Sequence, residues 1–346
     1  MAWMRSETMA TMKDISKNAK VSIATVSAVI NKSSYVSQEL TERVNQAIQE
    51  LNYRPNAFAR SLKGKSTKTV AAIVTDIENP YYPAMIKGMD DVAIMNGFSF
   101  ILCNTANDPK RFINYLDLIL EKRVDGLLIS NISLREELEQ VEKRGLNYVL
   151  LNRKPPAYDK NYVGINNHLT SELSVKHLVT LGYRNIAYIG GDLKISTAHE
   201  RWEGFQYGMT EQGLEVNASL VFHGDYTIES GYKHAKKMIS VQKRLPDAIC
   251  AASDMIAFGA IKALRESSIR VPEDIAVMGN DNNPYSENFI VPLSTIDHLK
   301  YDMGKMAMES LFERIEGKER GIDRQIILNP SLVARVSCGW LNRSKD

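Results

Sequence analysis

A chain of 346 residues, 44% apolar and 24% charged, has the composition of a folded globular protein, and its length asks for two or three domains. No apolar run approaches the ~18 residues of a membrane-spanning helix, and the start MAWMRSETMA lacks the apolar core of a secretory signal. Cys103, Cys250 and Cys338 lie far apart and fit neither a disulfide framework nor a zinc spacing, so a soluble protein of a reducing cytoplasm is expected.

The net charge of +2 becomes informative once divided. Residues 1–65 hold ten Lys/Arg and five Asp/Glu, a net +5 that leaves −3 for the rest. A basic head on a mildly acidic body suits a nucleic-acid module joined to something else. A solvated surface with a chance excess of lysine is the plain alternative.

MKDISKNA (12–19) spaces Ile15 and Ala19 on one face of a short helix, and Lys20–Val21 breaks it. In VSIATVSAVIN (21–31), Ser22 is a good N-cap, and Val21 and Val26 stand at the two positions of a hydrophobic staple. Its first turn carries Ile23, Ala24 and Thr25 where a solvated helix would favour acidic residues. Small side chains let the backbone approach a partner, and Ser22, Thr25, Ser27 and Asn31 offer hydrogen bonds to phosphates or base edges. A third helix over 37–51 places Leu40, Val44, Ala47, Ile48 and Leu51 on one face. Three short helices with a tight turn between the first two make a helix-turn-helix, whose second helix presents its N-terminal residues to the major groove.

YRPNAFARSLKGKSTK (53–68) starts a helix at Pro55 and ends it at Gly64. Eight or nine residues are too few for a stable helix in water, so order is expected only with DNA and a second copy. Leu62, flanked by Arg60 and Lys63, suits a wedge driven into a minor-groove base step. GKST at 64–67 is read as linker, because Ala59 stands where a phosphate loop needs Gly and no strand precedes it.

Residues 12–65, from MKDISKNAKVSIATVSAVIN to RSLKGK, resemble the DNA-binding head and hinge of the lactose-repressor (LacI-type) family of transcription factors. The resemblance implies dimers on roughly palindromic double-stranded operators, with paired hinge helices prying open the central minor groove. It places Ile23, Ala24 and Ala28 in base-reading slots, Asn31 and Tyr53 on phosphate, and Leu62 as the wedge. With Ser22, Thr25, Ser27, Asn56 and Lys63 these form the expected DNA-binding set. Family members often carry Arg, His, Gln or Tyr in the base-reading slots. Here readout must rest on apolar contact, for instance with thymine methyls, and on Thr25.

From Val70 apolar runs alternate with helical stretches. Strands are expected at 70–76, 98–104, 124–130, 147–153, 185–191, 220–225, 247–253 and 274–281, with helices at 82–96, 109–122, 167–181, 228–241 and 254–266. Continuous apolar strands between helices mean parallel sheets covered on both faces, and a segment this long implies two lobes. The expected fold class is α/β: a three-helix helix-turn-helix head plus hinge helix, then a two-lobed, doubly wound, periplasmic-binding-protein-like body. The expected division is a disordered extension at 1–10 (or an alternative start at Met9 or Met12), a DNA-binding domain at 11–65 with hinge helix 55–63, and an effector-binding and dimerisation domain at 66–346.

Ligands in such folds sit beyond the carboxyl ends of the strands. That rule, with Arg201 in HERWEGF, nominates Tyr82, Asn152, Asn166, Arg201, Tyr226, Asp281 and His298 as effector contacts. Asp76, Arg153 and Ser253 lie at further strand ends. An acid, a guanidinium and flat rings converging on one cleft would suit a polyhydroxylated ligand. VDGLLIS, ASDMIAFGAIKAL, RVPEDIAVMGNDN and PLSTIDH resemble body signatures of the same family. This implies three chain crossings between the lobes and effector-contact positions at Arg201, Tyr226 and Asp281. Asp254 is read as the cap of a helix starting at Met255, and Trp202 as a core residue. Purine-responsive relatives carry Arg where Ile195 stands, and most members an aromatic where Asn280 stands. The expected effector is therefore a carbohydrate, a sugar or sugar derivative.

An enzyme finds little support: the six histidines show no HExxH, there is no GxSxG, and YIGGDL lacks the GxGxxG spacing. No cofactor or metal is expected. The rival is a solute-binding protein of the same two-lobed fold, which would need an export signal in place of the helix-turn-helix head. SCGWLNRSKD leaves no room for a ~20-residue tetramer-forming heptad segment, so the expectation is a homodimeric, allosteric repressor.

Overall fold

Hydrogen bonds from side chains fix both ends of the first helix. In the computed structural model, which describes residues 10–31, 33–53, 66–130, 132–158, 160–242, 244–317 and 324–340, the chain divides into two compact units, Met1–Thr67 and Lys68–Asp346. Residues 1–9 and the expected hinge helix 55–63, with Asn56, Leu62 and Lys63, lie outside the described residues.

In the first unit, α1 (Met12–Ala19) opens with a capping box. Asp14 Oδ2 accepts from the Thr11 amide at 2.9 Å, and Thr11 Oγ1 accepts from the Asp14 amide at 3.3 Å. It ends at Lys20, whose φ of 53° is left-handed. Arg43 on α3 (Gln38–Glu50) donates to the Ala19 and Lys20 carbonyls at 2.7 and 3.3 Å, closing the turn before α2 (Ile23–Asn31). Ser22 Oγ caps α2 by accepting from the Thr25 amide at 3.0 Å. Ile15, Val26 and Val44 are fully buried, with Ala19, Ala47 and Tyr53 around them and Val21 packed alongside, as the staple requires.

The second unit holds two parallel sheets. Lobe one contains β1 (Thr69–Val74), α4 (Tyr82–Met95), β2 (Ser99–Asn104), α5 (Pro109–Glu121), β3 (Gly126–Ile129), α6 (Arg135–Glu142), β4 (Tyr148–Leu151) and β5 (Tyr162–Ile165). Lobe two follows with α7 (Asn167–Thr180), β6 (Ile186–Gly191), α8 (Ser196–Glu211), β7 (Val221–Gly224), α9 (Ile228–Val241), β8 (Ala248–Ala251), α10 (Asp254–Glu266), β9 (Ala276–Met278) and β10 (Thr295–Asp297). The chain returns to lobe one for α11 (Lys300–Ile315) and β11 (Gln325–Leu328), then crosses back to pair β12 (Ser331–Val333) with β10.

The sheet orders are β11-β5-β4-β3-β1-β2 and β7-β6-β8-β9. Along β1, Val70, Ala72 and Val74 pack into one core while Ala71 and Ile73 pack into the other. That is why the strand reads as an unbroken apolar run. The returning helix α11 lies so close to α4 that a side chain at Gly88 or Gly304 would run into the opposite backbone. The three cysteines are free and buried. Among the described residues no helix is long and apolar enough to cross a membrane.

One expectation is corrected here. Ser253, not Asp254, caps α10, accepting from the Ile256 amide at 3.2 Å. Asp254 is fully buried and accepts from the Asn283 amide (2.6 Å), Ser286 Oγ (2.6 Å) and Thr295 Oγ1 (2.5 Å), so it brackets the loop between β9 and β10. Replacing it leaves three buried donors unanswered. Asp254→Ala should lower body stability by about 3 kcal/mol, read from urea unfolding followed by the fluorescence of Trp202 and Trp340.

Candidate functional site

Between the lobes, beyond the carboxyl ends of β1 and β4 on one side and β6, β7 and β8 on the other, lies a cavity of about 340 Å³. Tyr82, Asn152, Arg201, Tyr226 and Asp281 share its wall, five of the seven effector contacts expected from sequence. The Tyr82 hydroxyl is hydrogen-bonded to Thr75 Oγ1. Asn152 takes a left-handed φ of 65° as β4 ends, and its Oδ1 accepts from the Tyr81 hydroxyl at 3.1 Å. The Tyr226 ring lies against Gly191, where any side chain would collide with it.

Arg201 is 4% exposed and must find its partners inside. Its Nε donates to Asn167 Oδ1 at 2.9 Å and its Nη1 to the Ala252 carbonyl at 2.7 Å. Nη1 also lies 3.7 Å from Asp281 Oδ1, and the guanidinium carbon stands 5.7 Å from the centre of the Tyr226 ring. Asp281 sits at φ 142°, a strained value for a residue with a side chain. Lys300 holds that turn by donating to the carbonyls of Asp281 and, at 3.0 Å, Asn282. Burial pushes the Asp281 carboxyl up to about 7, with the Asp254 charge adding to the effect and Arg201 and Lys300 opposing it. Near neutral pH this carboxyl both donates and accepts.

Two expected contacts stand elsewhere. The Asn166 side chain is used as the N-cap of α7, accepting from the Leu169 amide at 3.0 Å, and it is the next residue, Asn167, that reaches Arg201. His298 is fully buried behind the wall, with Nε2 bonded to Asn280 Oδ1 at 2.6 Å and Nδ1 3.7 Å from Asp281. Burial depresses its basicity, so it remains neutral. Asn280 in turn donates to Thr170 Oγ1 at 3.1 Å, linking the second chain crossing to α7. The wall also includes Asn107, Asp192 and Thr227. All three follow strands, so the strand-end rule applied to β2, β6 and β7 would have found them.

On the head, Ile23 is 48% exposed, and Ser22, Ala24 and Asn31 are exposed beside it, with Thr25 and Ser27 half-buried. Asn31 Nδ2 is tied back to Ser27, at 2.8 Å to its carbonyl and 3.2 Å to its hydroxyl. Two residues expected at the DNA face are turned inward. Ala28 is 9% exposed where the chain leaving α2 folds back, the Ser33 amide bonding its carbonyl. Tyr53, also 9% exposed, packs its ring into the three-helix core as its amide bonds the Ile48 carbonyl.

The raised Asp281 carboxyl makes stability pH-dependent. Its folded value lies above the unfolded one, so its contribution is complete below about pH 4 and is lost as pH rises through about 7. Asp281→Asn should remove that loss. The urea midpoints of variant and wild type should diverge between pH 5 and pH 8, the variant gaining a few kcal/mol at the alkaline end.

Comparison with known proteins agrees with this geometry. Residues 11–56 match the model of bacterial regulatory proteins of the lacI family, and residues 175–338 that of a periplasmic binding protein-like domain. The HTH-type transcriptional repressor PurR of Histophilus somni (strain 2336) is 39% identical over 337 residues, covering 95% of this chain and 99% of that protein. PurR of Pasteurella multocida (strain Pm70) is 38% identical over 332 residues, covering 95% and 98%. The structure of the lac repressor dimer bound to operator and the anti-inducer ONPF superposes with a TM-score of 0.87 at 27% identity, covering 96% of this chain and 99% of that one. A complex of the transcriptional regulator CelR with cellobiose gives 0.73 at 29% identity, covering 95% and 99%. This chain belongs to the lacI family of bacterial regulatory proteins, DNA-binding transcriptional repressors rather than enzymes.

Proposed function

We propose that this repressor's affinity for a roughly palindromic operator is set by a hydroxylated small molecule, a sugar or sugar derivative, held in the interlobe cavity. The observation that carries the reading is the buried pair Arg201 and Asp281, 3.7 Å apart, in one wall with Tyr82 and Tyr226. A guanidinium and a carboxyl can each bridge two hydroxyls, while the rings cover a sugar's apolar face. A relative of this chain, CelR, holds cellobiose. The second reading is a nucleobase, favoured by the same two rings. Against it stands Ile195, an aliphatic side chain in the wall where the family resemblance places Arg in purine-responsive members.

Both lobes supply wall residues, so a ligand that fits one lobe arrangement better than another shifts the population between them. DNA contact is assigned to the start of α2, with Ile23 and Ala24 foremost and Ser22, Thr25, Ser27 and Asn31 around them. The hinge residues Asn56, Leu62 and Lys63 are assigned to the same surface by the family resemblance. Homodimerisation fits an apolar surface on lobe two, where Ile228 and Ile290 are 41% and 56% exposed around Phe258 and Phe289.

A calorimetric screen of the full chain against sugars, sugar phosphates, nucleobases and amino acids tests the ligand class. A sugar should bind, and Arg201→Ala should weaken it about a hundredfold or more, since a buried charged hydrogen-bonding group is lost. A nucleobase bound with every sugar silent would replace the reading. On DNA, fluorescence anisotropy with an operator selected from random duplexes should show steep loss of affinity with salt. Ile23→Ala should weaken that operator about tenfold and leave non-specific duplex unchanged. An equal loss on both would remove Ile23 from base readout.

A further inference from the structure

The cavity has a side chamber of about 180 Å³, joined to it through the shared wall residues Thr75, Asn107, Arg153 and Ile195. Its charges are unevenly answered. Asp108 caps α5, accepting from the Lys110 amide at 2.8 Å with Arg111 at 3.9 Å. Glu137, in the first turn of α6, accepts from the amides of Ser133 and Leu134 at 3.0 and 3.1 Å. Both carboxylates are thus satisfied by helix starts.

The cations of the chamber have no such partners. Arg153, just past the end of β4, buries its Nε without a hydrogen bond, and neither it nor Lys194 from lobe two forms an ion pair among the described residues. Ser133, 9% exposed, lines the same chamber with its hydroxyl unpartnered. The half-buried guanidinium of Arg153 and the buried hydroxyl of Ser133 line one small chamber without acceptors for their unpartnered donors, and the exposed Lys194 adds a second positive charge at its edge. An anion answers both the hydrogen bonds and the charge. Groups on the two lobes face it together.

We propose that the side chamber is an anion subsite that holds a phosphate or carboxylate carried by the effector, bridging Arg153 and Ser133 of lobe one to Lys194 of lobe two. The effector is then an acidic sugar derivative such as a sugar phosphate rather than a neutral sugar, a refinement that rests on the cavity reading above. The anionic arm is a specificity element: it separates the phosphorylated form from its parent and adds a contact that favours lobe closure.

The probes are inorganic phosphate, glucose and glucose 6-phosphate, titrated calorimetrically into the full chain at constant ionic strength. Phosphate should bind wild type and lose affinity about tenfold in Arg153→Gln and several-fold in Ser133→Ala, neither of which removes a hydrogen bond made within the protein. Glucose 6-phosphate should bind at least tenfold more tightly than glucose, with the gap closed in Arg153→Gln. Phosphate that fails to bind, or binds wild type and Arg153→Gln alike, overturns the subsite. The two readings fail separately. Glucose or another neutral sugar bound without any phosphate effect keeps the cavity and removes the subsite, whereas phosphate bound through Arg153 with all sugars silent keeps the subsite and removes the sugar.

Discussion

A guanidinium that cannot give up its proton has been placed where water does not reach, and the cleft is organised by what Arg201 needs there. Its partners come from three separate stretches: the acceptors Asn167, just beyond the first chain crossing, and the carbonyl of Ala252, just past the end of β8, and the carboxyl of Asp281 at 3.7 Å in the loop leading to the second crossing. One side chain therefore ties together the segments that form the lobe-two floor of the cavity. A second layer holds the first. His298 and Asn280 run to Thr170, Lys300 clamps the carbonyls of the strained turn, and Asp254 brackets the loop beyond it. Such a buried polar network is costly unless fully satisfied, and the apolar cores on both sides of it offset that cost.

The opposite wall is built differently. Tyr81, Tyr82 and Asn152 belong to lobe one: Tyr81 donates to Asn152, Tyr82 bonds Thr75, and the two rings meet edge to face. With the lobes joined by three strand-to-helix or strand-to-strand crossings, a ligand that engages both walls acts on their relative arrangement. This is the physical content of allostery for this chain: a molecule that touched only one lobe could bind tightly and shift nothing.

Much of this was legible in the sequence because local chemistry and global fold agree. The head showed its helices through Ser22, the Val21–Val26 staple and the break at Lys20. The lobes showed their strands as apolar runs buried on both faces. The strand-end rule located Tyr82, Asn152, Tyr226 and Asp281. Arg201 came from its place in HERWEGF and from family resemblance rather than from the strand-end rule, because it sits on the buried face of α8, with Thr197, Ala198, Gly204, Phe205, Gly208 and Met209, and not at the end of a strand. Asn166 was misplaced because the position after a strand is also where an Asn caps the next helix. His298 was misplaced because a residue at a lobe crossing is buried by both neighbours. Ala28 and Tyr53 show the same limit in the head, where the return of the chain, not the helix pattern, decides which residues face inward.

The most direct test of the central claim, that occupancy of the Arg201–Asp281 cavity controls operator affinity, is to measure the dissociation constant of the cavity ligand on full-length protein with and without saturating operator. Linkage requires the two constants to differ, by about five- to 150-fold for a coupling of ordinary size, and operator affinity to change by the same factor when the ligand is added. Identical constants with and without operator would show a binding site uncoupled from DNA, and would contradict the account.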